Sequence, residues 1–294
     1  MTGRVKVDNA DMDITEKRYA GTDTNFAGEK GMYSIIKRND RQIYADAIAN
    51  IDLTFAGDYH LSANVGASLK DVRMDFMGWG GDLRKIPNFF SITNISTTNY
   101  KEREDGSHIQ SQSIFANVEL AWKSMLYLTV TGRNDWSSTL APGNNSYFYP
   151  SVSGSVILSD LLHIDTPMVN FLKVRASWAN VGNDTSPYQL LNYYNNSSFT
   201  GGFNMPTNKA NYNLKPENVE SWEFGVEGRF FDSRLTFDVA FYNATTTNQI
   251  ISVPVDITTG VYNTIVNAGE INNRGWEVSV SYTHLRAHET RHDL

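Results

Sequence analysis

Three histidines near the end of the chain have the spacing most suggestive of chemistry. His284, His288 and His292 follow one another at intervals of four residues, so a helix would place them on one face. Imidazoles at that spacing can share a zinc ion. However, the string VSYTHLRAHET back-translates to a nucleotide sequence that resembles the transposon end and adapter used in shotgun library preparation. We therefore expect residues 280–294 to be read-through of synthetic DNA, and we predict no metal site there.

The other residues that could support catalysis are scattered. His60, His108 and His163 are isolated, with no serine or aspartate at a spacing that suggests a triad. The chain has no cysteine, which excludes thiol catalysis, disulfides and cysteine metal sites. The acidic run at 102–105 lacks the spacing of a calcium loop. We predict no enzymatic activity and no cofactor. We interpret these residues as groups that meet water, either on the outer surface of the protein or in a water-filled interior.

The best candidate for ligand contact is the segment 183–205, NDTSPYQLLNYYNNSSFTGGFNM. Aromatic rings alternate there with asparagine amides, so stacking surfaces lie beside hydrogen-bonding groups. Sugars suit such a surface. The alternative is that long exposed loops are often rich in Tyr and Asn simply because they must stay soluble. The candidate contact residues are Tyr188, Tyr193, Tyr194, Asn195, Asn196, Phe199 and Phe203.

Composition limits the class of protein to which these residues belong. Of the 294 residues 40% are hydrophobic, and no run approaches the roughly 18 apolar residues of a spanning helix, which excludes a helical membrane protein. The formal net charge of −7 argues against nucleic acid as a partner. A membrane β-barrel remains possible, because only every second residue of its strands must be apolar.

Alternating side chains indicate strands with one dry face and one wet face. In 222–230 large apolar residues alternate with Glu223, Glu227 and Arg229, and a similar row in 234–242 opposes Asp238. Successive side chains of a strand point to opposite faces, so the ionised groups share one side. A protein core would not accept those charges. The pattern therefore favours the wall of a water-filled membrane barrel, with hydrocarbon outside and solvent inside.

The same alternation recurs along most of the chain and predicts an all-β protein with an antiparallel sheet. We predict about ten strands, at roughly 31–38, 42–56, 58–74, 109–122, 125–134, 149–158, 170–181, 219–230, 234–246 and 262–279.

The predicted connections alternate between short and long. Tight turns are expected at Gly57-Asp58, at Lys123-Ser124 and at 231–233, with a longer turn and a helical turn in 159–169. Long polar segments fill the other connections, at about 75–108, 135–148, 182–218 and 247–261. Outer-membrane barrels have this arrangement, with small periplasmic turns and large outside loops.

Aromatic residues near the predicted strand ends are typical of the girdles that flank a membrane. The residues in question are Trp79, Trp122, Trp136, Tyr147, Phe148, Tyr149, Trp178, Trp222 and Trp276. A soluble carbohydrate-binding β-sandwich is the less favoured alternative, because its apolar faces would have to be buried against a second sheet.

Two longer segments of the chain and a shorter one resemble TonB-dependent outer-membrane receptors of the SusC/RagA type found in Bacteroidota. GRNDWSSTLAPGNNSYFYPSVSGSVILSD (132–160) is similar to that family's strand, loop and returning strand. NLKPENVESWEFGVEGRFFDSRLTFDVAFYNATTTNQI (213–250) resembles a pattern found late in these barrels, and INNRGWEVSV (271–280) resembles the next strand.

The resemblance implies a barrel of about 22 strands plugged by an N-terminal domain. It also implies import of bulky nutrients such as glycan oligomers or peptides, powered by the inner-membrane TonB complex, with a SusD-like surface lipoprotein as partner. We expect residues 1–279 to be a fragment of the middle and late barrel, an open curved sheet integral to the outer membrane. The fragment would lack the plug that contacts TonB. A passive porin-like or adhesin-type barrel is the alternative.

Overall fold

The computed structural model describes residues 1–97, 101–164, 166–196 and 202–283, which are mostly β-strands. A short helix, α1, spans Leu158–Leu161, and 3-10 turns lie at Ile92–Asn94 and Ile257–Thr259. The strands are β1 (Thr2–Tyr19), β2 (Gly31–Phe55), β3 (Tyr59–Asp82), β4 (Lys101–Trp122), β5 (Leu126–Ser137), β6 (Ser146–Ile157), β7 (Val169–Asn183), β8 (Asn195–Asn196), β9 (Phe203–Asn204), β10 (Asn208–Lys209), β11 (Glu217–Phe230), β12 (Leu235–Thr247), β13 (Ile250–Pro254), β14 (Asn263–Asn267) and β15 (Glu270–Tyr282).

Ten of these strands form one sheet in the order β1-β2-β3-β4-β5-β6-β7-β11-β12-β15. The pairings from β5 through β15 in this sheet are antiparallel. The remaining strands form a three-stranded sheet, β10-β14-β13, and a two-stranded sheet, β8-β9. The predicted class, an antiparallel all-β sheet of about ten strands, is confirmed.

The chain divides into two compact units. The larger contains Met1–Thr2, Ile48–Ala67 and the chain from Ser113 onward, and the smaller contains Gly3–Ala47 and Ser68–Gln112. In the smaller unit, Arg4 donates to both carboxylate oxygens of the buried Asp46, at 3.1 and 3.0 Å.

The register of the larger unit aligns apolar side chains across six strands. One row consists of Leu126, Val156, Val174, Val226, Val239 and Val278. The next row consists of Leu128, Gly154, Ala176, Phe224, Phe241 and Trp276. Because a side chain on a strand shares its face with its cross-strand partner, these residues form one continuous apolar face.

The opposite face of the same strands is polar and charged. Lys173, Glu227 and Asp238 are paired in one row across β7, β11 and β12. The separation of faces predicted from alternation is therefore confirmed in this unit, and the turns at 56–58, 123–125 and 231–234 join its strands as predicted.

The apolar face is uncovered. Phe224 is 52% exposed, Val278 66% and Trp276 71%, so no second layer of the described chain packs against them. Fully buried side chains are instead found among the loops, as at Leu214. A β-sandwich requires that face to be buried, so the structure does not agree with that alternative.

Several predicted strand boundaries were wrong. β1 was not predicted, and the predicted strands 31–38 and 42–56 are one continuous strand, β2. The predicted strand 262–279 is divided, because Gly269 takes a positive φ of 92° and separates β14 from β15. Charged residues within β2 obscured its continuity, since a strand with water on one face tolerates charge at every second position.

The aromatic residues do not all lie on the apolar face. Trp178, Trp222 and Trp276 belong to apolar rows. Tyr147 and Tyr149 are paired with Asp135 and Arg133 on the polar face, so their assignment to a membrane girdle was wrong.

No helix among the described residues is long and apolar enough to cross a membrane. Of the predicted read-through segment 280–294, Val280 to Tyr282 continue β15. His284, His288 and His292 lie outside the described residues, and the origin of the segment stays a prediction.

Candidate functional site

Two long connections at one end of the sheet are joined to each other. The segment between β7 and β11 contributes β10, which pairs in parallel with β14 from the segment between β12 and β15. Beside this pairing, the Tyr262 amide donates to the Thr207 carbonyl at 2.8 Å. The Asn192 side chain donates to the Asn208 carbonyl at 2.6 Å and accepts from the Ala210 amide at 2.8 Å. The two segments therefore form one structured surface.

A cavity of about 420 Å³ lies between these two segments. The first segment contributes Asn192, Tyr193, Tyr194, Met205, Pro206 and Lys209. The second contributes Val255, Thr259, Val261 and Thr264. The described walls are mostly aromatic and aliphatic, with one cation and a few uncharged polar groups.

A capped 3-10 turn holds one wall of this cavity. The carboxylate of Asp256 accepts from the Thr258 hydroxyl at 2.7 Å and from the Thr258 amide at 2.8 Å. These bonds favour the ionised form, and they hold the pKa of Asp256 below its usual value. Thr259 follows in the same turn, and its hydroxyl donates to the Asp256 carbonyl at 2.7 Å. The position of Thr259 thus depends on the capped turn.

The structure brings together only part of the predicted contact set. Tyr193 and Tyr194 line the cavity and remain 64% and 68% exposed. Tyr188 and Phe203 are exposed but are not among the residues lining it. The backbones of Asn195 and Asn196 pair with β9 as strand β8. Phe199 lies outside the described residues.

Sequence reasoning missed most of the residues that line the cavity. Lys209, Met205 and the residues from 255 to 264 were not predicted to contribute. The one available signal was that the segments 182–218 and 247–261 both leave the same end of the predicted sheet. That signal places the loops as neighbours, but it does not reveal the parallel pairing of β10 with β14.

The base of these segments is fixed to the strands by buried polar groups. The carboxylate of Asp184 accepts hydrogen bonds from the hydroxyls of Ser137 and Thr139, both of which are buried. The Asn144 side chain donates to the carbonyl of Leu214 at 3.1 Å. The Asn144–Leu214 hydrogen bond connects the two longer motif-bearing segments, 132–160 and 213–250.

The polar face below the loops carries a network of ion pairs. Arg175 on β7 donates to both carboxylate oxygens of Asp238 on β12, at 2.9 and 3.0 Å, and lies 3.4 Å from Glu223 on β11. A depression of about 360 Å³ lies beside it, lined by Glu119, Tyr127, Thr129, Ser153, Gly154, Ser155, Lys173, Arg175, Ala176 and Ser177. Such a mixture of charged and small polar side chains suits a water-filled space rather than a protein core.

Among the described residues, no group of three or more His, Cys, Asp or Glu side chains is placed to hold a metal ion. The arrangement offers non-covalent binding at the loops and a charged surface on the sheet. An uncovered apolar face opposite a charged face, with short turns at one end and structured loops at the other, defines part of the wall of a transmembrane β-barrel.

The chain belongs to the TonB-dependent receptor-like β-barrel family, whose pattern it matches over residues 6–290. The chain is 25% identical over 275 residues to TonB-dependent receptor P26 of Formosa agariphila, a match that covers 89% of this chain and 27% of that protein. It is 26% identical over 181 residues to TonB-dependent receptor SusC of Bacteroides thetaiotaomicron, covering 58% of this chain and 18% of SusC. The matched regions thus span between 18% and 27% of the length of these two relatives.

Solved structures agree with this fold. A chain in the structure of the RagAB peptide transporter superposes with a TM-score of 0.86 at 20% identity, covering 97% of this chain and 32% of that one. The hemophore receptor HasR of Serratia marcescens gives a TM-score of 0.57 at 14% identity. The similarity to SusC and to the RagAB structure agrees with the SusC/RagA type that the sequence motifs indicate.

Proposed function

We propose that this chain is part of an energised outer-membrane importer of bulky nutrients such as glycan oligomers or peptides. The parent protein would be integral to the outer membrane and driven by the TonB complex through its plug. A SusD-like surface lipoprotein would cover its outer loops. The observation that carries the proposal is the register, which places apolar rows on one uncovered face and ion pairs on the other across six strands.

The length of the apolar face along the strands supports placement in a membrane. On β12 this face runs from Leu235 to Phe241, and the next residue on it is the polar Asn243. At a rise of about 3.4 Å per residue, that stretch is roughly 20 Å long along the strand, and on β11 the same face extends from Phe230 to Trp222, roughly 27 Å. Outer-membrane barrels have an apolar band of about 25 Å flanked by aromatic residues. Trp222 and Trp178, whose rings lie 6.1 Å apart, are at the loop end of the band.

The loop surface supports binding of a nutrient and of a partner. Tyr193 and Tyr194 offer two exposed rings at the cavity, beside the exposed Met205. Exposed apolar patches of that kind are typical of interaction surfaces. The structure that superposes with a TM-score of 0.86 is that of the RagAB peptide transporter. That similarity supports a peptide as the nutrient as strongly as the aromatic residues of the loop support a glycan.

A test of the proposed function measures uptake by cells that carry the full-length parent gene. Labelled peptide and glycan oligomers are supplied to cells with the gene, to cells without it, and to cells with the gene but without a functional TonB protein. We expect uptake only where both the gene and TonB are present. Uptake that needs the gene but continues without TonB would instead support a passive porin. Binding to surfaces without uptake would support an adhesin.

A further inference from the structure

Lys209 is the one charged residue among the described residues that line the loop cavity. Within the part of the chain that the structure describes, its ammonium group takes part in no ion pair. Strand β10 presents this residue opposite Thr264 of β14, whose hydroxyl makes no hydrogen bond with the described residues. A cation and a hydroxyl are therefore held side by side at the cavity wall, and both are available to an acceptor.

The Asn192 amide and the Thr259 hydroxyl of the cavity are already bonded within the protein, whereas the hydroxyls of Tyr193 and Tyr194 make no hydrogen bond with the described residues. Both ends of the Asn192 amide are bonded to the backbone of β10 and of Ala210. The Thr259 hydroxyl is bonded to the Asp256 carbonyl. No carboxylate is present among the described lining residues. Among the free polar groups of the described lining only Lys209 carries charge, and an anion would gain more from that ammonium group than a neutral sugar would.

The remaining walls are apolar. Met205, Pro206, Val255 and Val261 lie with the two tyrosine rings around the same space. A hydrocarbon side chain would gain from leaving water here, at about 25 cal/mol per Å² of buried surface. The cavity therefore combines one anion-binding group with a surface suited to an aliphatic or aromatic group.

We propose that this cavity binds the C-terminal residue of a peptide, with its carboxylate at Lys209 and Thr264 and its apolar side chain against Met205, Val255 and Val261. This inference rests on the proposed function, of which it specifies the substrate class. A carboxylate paired with an ammonium group forms a charge-assisted hydrogen bond, which is stronger than a neutral one. A peptide that ends in an apolar residue offers both a carboxylate and an apolar side chain.

The test compares two forms of one short peptide ending in leucine, the free acid and the C-terminal amide, by calorimetric titration of the purified full-length receptor in detergent. We expect the free acid to bind on the order of tenfold more tightly, since hydrogen bonds to charged groups contribute about 1.5 kcal/mol or more. Lys209→Met should remove the difference. Lys215→Met is the matched control, because this exposed lysine is on the same segment but not in the cavity wall, and it should leave the difference intact.

Equal binding of the two forms would overturn the inference. So would a preference that survives Lys209→Met, binding of neither peptide, or tighter binding of a neutral glucan oligomer at this cavity. The titration needs no energy source, so its result is separate from uptake. Uptake that continues without TonB would remove the proposed importer function while leaving the carboxylate preference of the cavity measurable.

Discussion

Arg175 reaches across a whole strand to hold Asp238. The two residues lie on β7 and β12, with β11 between them, and both guanidinium contacts are 3.0 Å or shorter. The residue directly beside Arg175 on β11 is Gly225. A Cβ atom there would lie 2.5 Å from the guanidinium carbon, so the glycine makes room for the side chain to pass. The Arg175–Asp238 ion pair thus depends on Gly225, a residue that carries no charge.

Neutralising this pair should give a small, salt-sensitive loss of stability. In a cycle of Arg175→Gln, Asp238→Asn and the double variant, we expect a coupling free energy of about 0.5 to 1 kcal/mol, because the groups are partly exposed to water. It should decrease as salt is raised. Denaturant unfolding of the full-length receptor in detergent would measure it. No coupling at low salt would contradict the described geometry.

The Gly225→Val substitution should abolish most of the coupling free energy between Arg175 and Asp238, since the new side chain occupies the space through which the Arg175 side chain passes. Gly154→Ala is the control, because its Cβ would meet only the Tyr127 carbonyl at an ordinary 3.8 Å. If the two glycine variants retain the Arg175–Asp238 coupling equally, the glycine does not have the role described.

Placing a charge on the apolar face should be far more costly than placing it on the polar face. Val278→Arg and Ser279→Arg change neighbouring residues of β15, and both positions are exposed. Val278 lies in an apolar row, and Ser279 lies on the face of Asp238. We expect Val278→Arg to lose roughly 2–4 kcal/mol of folding free energy in lipid vesicles, as for arginine near a bilayer midplane. Ser279→Arg should change it much less, and equal losses would contradict the membrane orientation.

Removing the Asp184 carboxylate should loosen the loop that follows β5. The hydroxyls of Ser137 and Thr139 lie 2.9 Å apart and can bond to each other, so Asp184→Ala leaves one of the two buried hydroxyls without an acceptor, which costs about 1–3 kcal/mol locally. We expect faster proteolysis within 137–145 in the folded receptor, detected by mass spectrometry of the fragments. Glu270→Ala, a change at an exposed position, is the control, and this variant should be cleaved at the same rate as the unaltered protein.

The loss of the tyrosine rings should weaken ligand binding at the loops. Tyr193→Ala combined with Tyr194→Ala removes two exposed rings from the cavity wall, and we expect roughly fivefold or greater weakening for a bound peptide or glycan. Tyr212→Ala is the matched control, an exposed tyrosine of the same segment that is not among the lining residues. If the two changes weakened ligand binding equally, the cavity would not be the ligand site.

Acid should release the cap of the 3-10 turn beside the cavity. The pKa of Asp256 is lowered in the folded state, chiefly by the Thr258 hydroxyl and then by its amide. Its stabilising effect is therefore complete above the ordinary aspartate pKa of about 3.9 and is lost as the pH falls through the lower folded value. Asp256→Ala should weaken ligand binding at neutral pH. Titrating the carboxyl resonance by NMR in the labelled receptor would check the direction of the shift.

The sequence determined the faces of the strands, the short turns and the family. Alternation of residues such as Val239 and Asp238 has a period of two, and a strand converts that period directly into two faces. The alternation of aromatic and amide residues identified the segment 183–205 as a candidate for ligand contact, and this too is a pattern of the local sequence. These properties depend on neighbours along the chain and can be read from it.

Only the tertiary structure decided which of those loop residues meet and what joins them. Tyr193 and Lys209 share a cavity with Val261 because β10 pairs with β14, two strands separated by more than fifty residues. Likewise, the strand partner of Arg175 is set by sheet order, and Gly225 matters only because that side chain passes over it. Contacts between distant segments depend on register and loop closure, which local residue patterns do not encode.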